Sequence, residues 1–123
     1  MKISRLLRKK TPDTGFSEVT QLYLAAFAQL DTQFRWNYAA SISRYLKQTL
    51  EENFSLLEAY PHYRFNFPGA VRYAMVKEYY PELFHRLERY IREHRWYPAG
   101  TALEETDAVI PSEESMIRNI LYG

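Results

Sequence analysis

The sequence predicts an α/β protein built on a partial parallel sheet, and three observations carry that expectation. Stretches rich in β-branched, aromatic and small apolar residues alternate with stretches whose apolar residues recur every three or four positions. Their order is strand, helix, strand, helices, strand, helix, the pattern of parallel strands joined by right-handed crossovers. Pro, Gly or a capping residue marks most of the boundaries. Three strands alone leave a parallel sheet short of the neighbours that cover its faces and edges, so the pattern reads as unfinished at Gly123.

The first strand follows the breaker cluster Thr11 to Gly15. Val19 to Leu30, which ends in LYLAAFAQL, contains no Gly or Pro and reads as a buried strand. Leu22, Ala25, Ala26 and Leu30 also sit at helical spacing, so a helical reading stays open. From Asn37, a plausible cap, Ile42, Tyr45, Leu46, Leu50, Phe54, Leu57 and Tyr60 mark one face of a helix that Pro61 ends. Tyr63, Phe65 and Phe67 alternate with Arg64 and Asn66 as a second strand, closed by Pro68 and Gly69. Val71 to Tyr79 is helical, and Pro81 marks the first turn of a helix carrying Leu83, Phe84, Leu87, Tyr90 and Ile91. Trp96 to Ala102 reads as a third strand whose Pro98 and Gly100 suit an edge or a strand end. Ser112 caps a last helix, with Glu113 and Glu114 in its first turn and Met116, Ile117, Ile120 and Leu121 on its inner face.

Composition excludes several functional classes. The 123 residues, 46% hydrophobic and 25% charged, suit one globular domain. A net charge of +1 is too small for the broad basic footprint of nucleic-acid binding, and no run approaches the length of a membrane span. The absence of cysteine rules out disulfides and thiolate metal sites and fits a cytoplasmic location. MKISRLLRKK has too few apolar residues for a signal core, so residues 1–18 are expected to form a solvated basic arm.

Ligands of parallel α/β folds gather at the carboxyl ends of the strands. That selects Gln29 to Trp36, Phe67 to Ala70 and Glu104 to Asp107. In a strand, the two-residue spacing of Gln29 and Asp31 would send both side chains to one side, where their oxygens could face one ion or one sugar. An Asp at a strand end serves equally well as a turn or capping residue. Glu104, Glu105 and Asp107 form a second acidic group, since paired carboxylates are the usual equipment of glycoside hydrolysis; a solvated loop before a capped helix explains them as well. His62, His85 and His94 are expected in surface or packing roles.

Three ordered blocks carry a resemblance. AQLDTQFRWNY resembles the opening motif of family 38 glycoside hydrolases, whose bacterial form reads approximately H-L-D-T-Q-W-R-W-T-Y. ENFSLLEAYPHYRFNFPGAVRYAMVKEYYPELFHRLERYIREHRWYPAG and EETDAVIPSEESMIRNILYG agree in order and spacing, so the resemblance spans residues 19–123. It implies the first strands and helices of a βα-barrel-like catalytic domain, here incomplete, from zinc-dependent retaining α-mannosidases that act on mannose-containing glycans. By the same resemblance Asp31 stands at a zinc-ligand position, and Gln29 occupies the place of the family's ligand His. Phe34 replaces the Trp that floors the sugar site, flanked by Arg35 and Trp36 as further substrate-binding positions. A neutral amide oxygen is a poorer zinc partner than imidazole, and a phenyl ring keeps stacking but has no N–H to donate. The nucleophile and remaining ligands are expected beyond Gly123, so this chain alone is expected to be inactive. The alternative is a noncatalytic α/β module, or a decayed gene product, that associates with itself or with a complementary fragment through open sheet edges.

Overall fold

The computed structural model describes residues 22–100 and 102–123. The basic arm, the breaker cluster and positions 19–21 of the expected first strand lie outside the described residues. Within them the architecture is a mixed α/β fold with a three-stranded, wholly parallel open sheet and four helices.

Strand β1 (Ala26–Phe27) pairs with β2 (Phe65–Pro68), and β2 pairs with β3 (Trp96–Ala99), so the spatial order follows the chain order. β1 is much shorter than expected. The Ala26 N–H donates to Arg64 O, just before β2, at 3.3 Å and the Ala28 N–H to Asn66 O at 3.4 Å, and Leu22, Tyr23 and Leu24 are largely exposed rather than buried. Apolar composition selected the region, but pairing partners decide where a strand extends. The expected third strand ends at Ala99, and Pro98 sits on an edge strand where its missing N–H breaks no ladder.

Asn37 starts the first helical run as expected, with Oδ1 accepting from the Ala40 N–H at 2.9 Å. Helix α1 is one continuous run in three parts: Tyr38–Ala40, a π-helical stretch Ser41–Leu46, and regular α-helix Lys47–Ala59. Helices α2 (Ala70–Tyr79) and α3 (Pro81–Arg92) lie between β2 and β3, and α4 (Glu113–Leu121) is capped by Ser112. Pro81 is at the first helical position, where the missing N–H has no intrahelical partner in any case.

The core lies on one face of the sheet. Phe65, Phe67 and Trp96 point into it, and Ala26 follows by register. Leu46, Leu50, Phe54 and Leu57 of α1, Met75 and Val76 of α2, and Leu87 and Tyr90 of α3 fill the other side. Trp96 is the centre of an aromatic cluster, 4.6 Å from Phe65 and 5.7 Å from Phe54 between ring centroids. The opposite face, with Phe27 and Tyr97 exposed, is not covered by the described residues. Helix α4 departs from expectation in the same way. Met116 is half-buried, but Ile117, Ile120 and Leu121 are exposed, because no described element lies against them.

Candidate functional site

The loops that follow the three strands converge at the carboxyl edge of the sheet. β1 ends at Phe27, so strand alternation does not reach Gln29 and Asp31, and the one-side geometry expected of them has no strand to impose it. Both side chains are exposed. Gln29 Nε2 donates to Glu105 Oε2 at 2.5 Å, whereas the Asp31 carboxylate has no hydrogen-bond or ion-pair partner among the described residues. Asp31, Thr32, Gln33, Glu104 and Glu105 line a shallow cleft of about 220 Å³.

Glu104 and Glu105 are neighbours, yet both reach back to the first loop. Thr32 Oγ1 donates to Glu104 Oε2, and Arg72 Nη2 lies 2.7 Å from Glu104 Oε1. Asn119 of α4 holds the Glu104 backbone at both ends: its Oδ1 accepts from Glu104 N at 2.9 Å and its Nδ2 donates to Glu104 O at 2.8 Å. Asp107 turns away to accept from the Val109 N–H at 2.8 Å, a local turn contact.

Arg72, Ser41 and Asn119 lie outside the three segments that the sequence selects, and Thr32 lies inside one of them without a role of its own. Arg72 carries the most weight, at only 2% exposure in the first turn of α2. Its Nε donates to Leu30 O at 2.6 Å, Nη2 donates to the same carbonyl, and Nη1 donates to Pro68 O at 3.1 Å. One guanidinium therefore touches the loop after β1, the last residue of β2 and the loop after β3. A signal did exist: a cation in the first turn of a helix opposes the helix dipole and calls for an acidic partner. The partner is far away in sequence, so only the signal was readable.

The aromatic residues divide into two roles. The Phe34 ring is 69% exposed and open to solvent, with the Arg35 guanidinium 5.4 Å from its centroid. Trp36 is half-buried and packs 4.4 Å from Tyr45 between centroids; its Nε1 donates to Ser41 Oγ at 2.8 Å. Ser41 is fully enclosed at the start of the π-helical stretch and its own hydroxyl donates a hydrogen bond to Thr32 O at 2.5 Å. The Phe34 ring thus faces solvent, while Trp36 anchors the loop.

A zinc site needs about four N, O or S ligands in tetrahedral array. Among the described residues no group of three or more His, Cys, Asp or Glu could hold a metal ion. Asp31 offers one carboxylate, and the Gln29 amide is already turned toward Glu105. The histidines do not help: His85 lies beside Glu88 on the outer face of α3, and His94 follows its end. The donor set of these residues does not fit zinc by itself.

Residues 19–123 match the family described as glycosyl hydrolases family 38 N-terminal domain. The chain is 29% identical over 108 residues to alpha-mannosidase G of Dictyostelium discoideum, covering 85% of this chain and 10% of that protein. It is 28% identical over 122 residues to an alpha-mannosidase of Saccharomyces cerevisiae, covering 98% of this chain and 11% of that one. Human alpha-mannosidase 2C1 is 24% identical over 102 residues, with coverages of 83% and 10%. The chain spans about a tenth of the length of these curated relatives.

Proposed function

The chain belongs to the glycosyl hydrolases family 38 N-terminal domain, and from that membership we propose that it forms one wall of an α-mannoside-binding site and does not hydrolyse the glycosidic bond by itself. One observation carries the second half of this reading. Glycoside hydrolysis uses two carboxyl groups, one on each side of the scissile bond. Glu104 is committed to Arg72 and Thr32 and Glu105 to Gln29, which leaves Asp31 as the one strand-end carboxylate without a partner among the described residues. A single carboxylate can accept hydrogen bonds from sugar hydroxyls, but it cannot act as both nucleophile and acid. Asp31 also stands where the family resemblance puts a metal ligand; within this chain it acts as a hydroxyl acceptor.

The binding half rests on Phe34 and Asp31. Phe34 offers an exposed ring for the C–H face of a pyranose, and Arg35 borders it with donors. The test is twofold. Incubation with an aryl α-mannoside, with and without added zinc, is expected to release no phenol. Methyl α-mannoside is expected to shift the amide signals of residues 31–36, and Phe34→Ala to weaken that binding about three- to tenfold, the range of one stacking contact. Turnover by the purified chain would overturn the noncatalytic reading, and silent amides at 31–36 would overturn the binding one.

A second reading, self-association or docking of a complementary fragment, is favoured by the uncovered sheet face and by the exposed Ile117, Ile120 and Leu121 of α4. Sedimentation equilibrium over a concentration series separates it: a strictly monomeric chain at high concentration excludes self-association.

A further inference from the structure

The residues on either side of Asp31 are tied to one ion pair. Leu30 O, directly before it, accepts from Arg72 Nε at 2.6 Å and from Nη2. Thr32 Oγ1, directly after it, donates to Glu104 Oε2. Arg72 Nη2 closes the ring onto Glu104 Oε1 at 2.7 Å. Asp31, enclosed by this ring in sequence, is itself exposed and has no partner among the described residues.

We propose that the Arg72–Glu104 pair is a positioning clamp for Asp31, fixing the backbone before and after it so that its carboxylate is held toward the cleft. A buried guanidinium carries a large desolvation cost and persists where its donors are met by well-placed acceptors. Here the acceptors are a carbonyl in the loop after β1, the carbonyl of the last residue of β2 and a carboxylate in the loop after β3. The planar fork is essential: Nε and Nη2 grip one carbonyl while Nη2 also meets Glu104, a geometry that a lysine ammonium cannot reproduce. Glu104 is in turn held by Asn119, and Thr32 by Ser41, so the clamp is anchored to α4 and to α1. Both Glu104 oxygens are occupied, since Oε1 also accepts from the Glu105 N–H at 2.9 Å. Its charge therefore orients Asp31 and takes no part in proton transfer.

The ligand in this proposal rests on the α-mannoside reading, whereas the clamp itself is a property of the free chain, and the experiment separates them. Backbone order of residues 30–33 is measured by NMR relaxation in the whole chain and in E104Q, T32V and R72K, together with the Kd for methyl α-mannoside and the thermal midpoint. In the unmodified chain, order parameters at 31–33 are expected near the rigid value of about 0.85, falling toward 0.6 in the variants while β2 and β3 stay unchanged. Mannoside affinity of the folded variants is expected to fall at least tenfold. If R72K fails to fold, E104Q and T32V carry the test, because both side chains are partly exposed. Unchanged order at 31–33 in E104Q and T32V would overturn the clamp. So would a lower midpoint accompanied by wild-type order and affinity, the signature of a purely structural pair. No mannoside response in the unmodified chain would overturn the ligand reading, while the relaxation data would still decide the clamp.

Discussion

Gly69 and Arg72 compete for the same space. Gly69 has φ of +84°, and a Cβ there would overlap Arg72 Nη1. Gly100 also has a positive φ, of +78°, but nothing lies within 4 Å of where its Cβ would be. Gly100→Ala is therefore expected to cost about 1 kcal/mol, the backbone term alone, and Gly69→Ala distinctly more, measured by urea denaturation. Equal costs would mean that Arg72 is free to move aside. Tyr73 makes a second prediction at this scale. Its hydroxyl donates to Phe67 O at 2.7 Å and accepts from Trp96 Nε1 at 2.9 Å. Burial pushes its pKa from 10.0 to about 12. The folded state keeps the phenol proton that the unfolded chain releases above pH 10, so this contribution is complete below pH 10 and is lost as pH rises toward 12. Between those limits the unmodified chain is expected to lose on the order of 2 kcal/mol more than Tyr73→Phe, in denaturation curves at pH 9 and 11.5. At pH 7 the variant is expected to be less stable by about 1–3 kcal/mol, because a buried N–H and a carbonyl lose their partner.

The boundaries of α1, α2 and α3 followed from short-range chemistry, through the Asn37 cap, the Pro61 stop and Pro81 at the first helical position, whereas β2 closes at Pro68 as expected but starts at Phe65, leaving Tyr63 of the expected alternation outside it. What escaped notice was the π-helical stretch Ser41–Leu46, since its apolar residues keep the spacing of an ordinary helix. It matters for the site, because it begins at the serine that links Trp36 to Thr32 O. Helix α3 carries the element-scale prediction. Just past its end, His94 has φ of +54°, a left-handed position that glycine takes without a steric penalty. The His94 N–H still bonds to Ile91 O at 3.0 Å, so the turn is formed despite the residue. His94→Gly is expected to stabilise the chain by about 0.5–1 kcal/mol, read from the shift of the denaturation midpoint. A loss of stability would show that the imidazole makes a compensating contact.

For the molecule as a whole, the uneven distribution of cover is decisive. One sheet face holds the core, and the other exposes Phe27 and Tyr97, while α4 exposes Ile117, Ile120 and Leu121. Patches of this kind drive association when they are contiguous. If the chain self-associates as proposed, the double variant F27E/I120E is expected to shift sedimentation toward the monomer with little change in the folding midpoint. An unchanged distribution would place the contact elsewhere. Fold class, the order of elements and family were all legible in the chain, because each depends on local periodicity, on punctuation by Pro, Gly and caps, or on three ordered blocks of residues. The extent of β1, the open sheet face, the grip of Arg72 on two loops and the end of β2, and the engagement of Glu104 and Glu105 were decided only by tertiary structure. Apart from the short step from Arg72 to Pro68, the contacts that decide them join residues more than thirty positions apart, and a charge in sequence does not say which distant carbonyl or carboxylate will satisfy it.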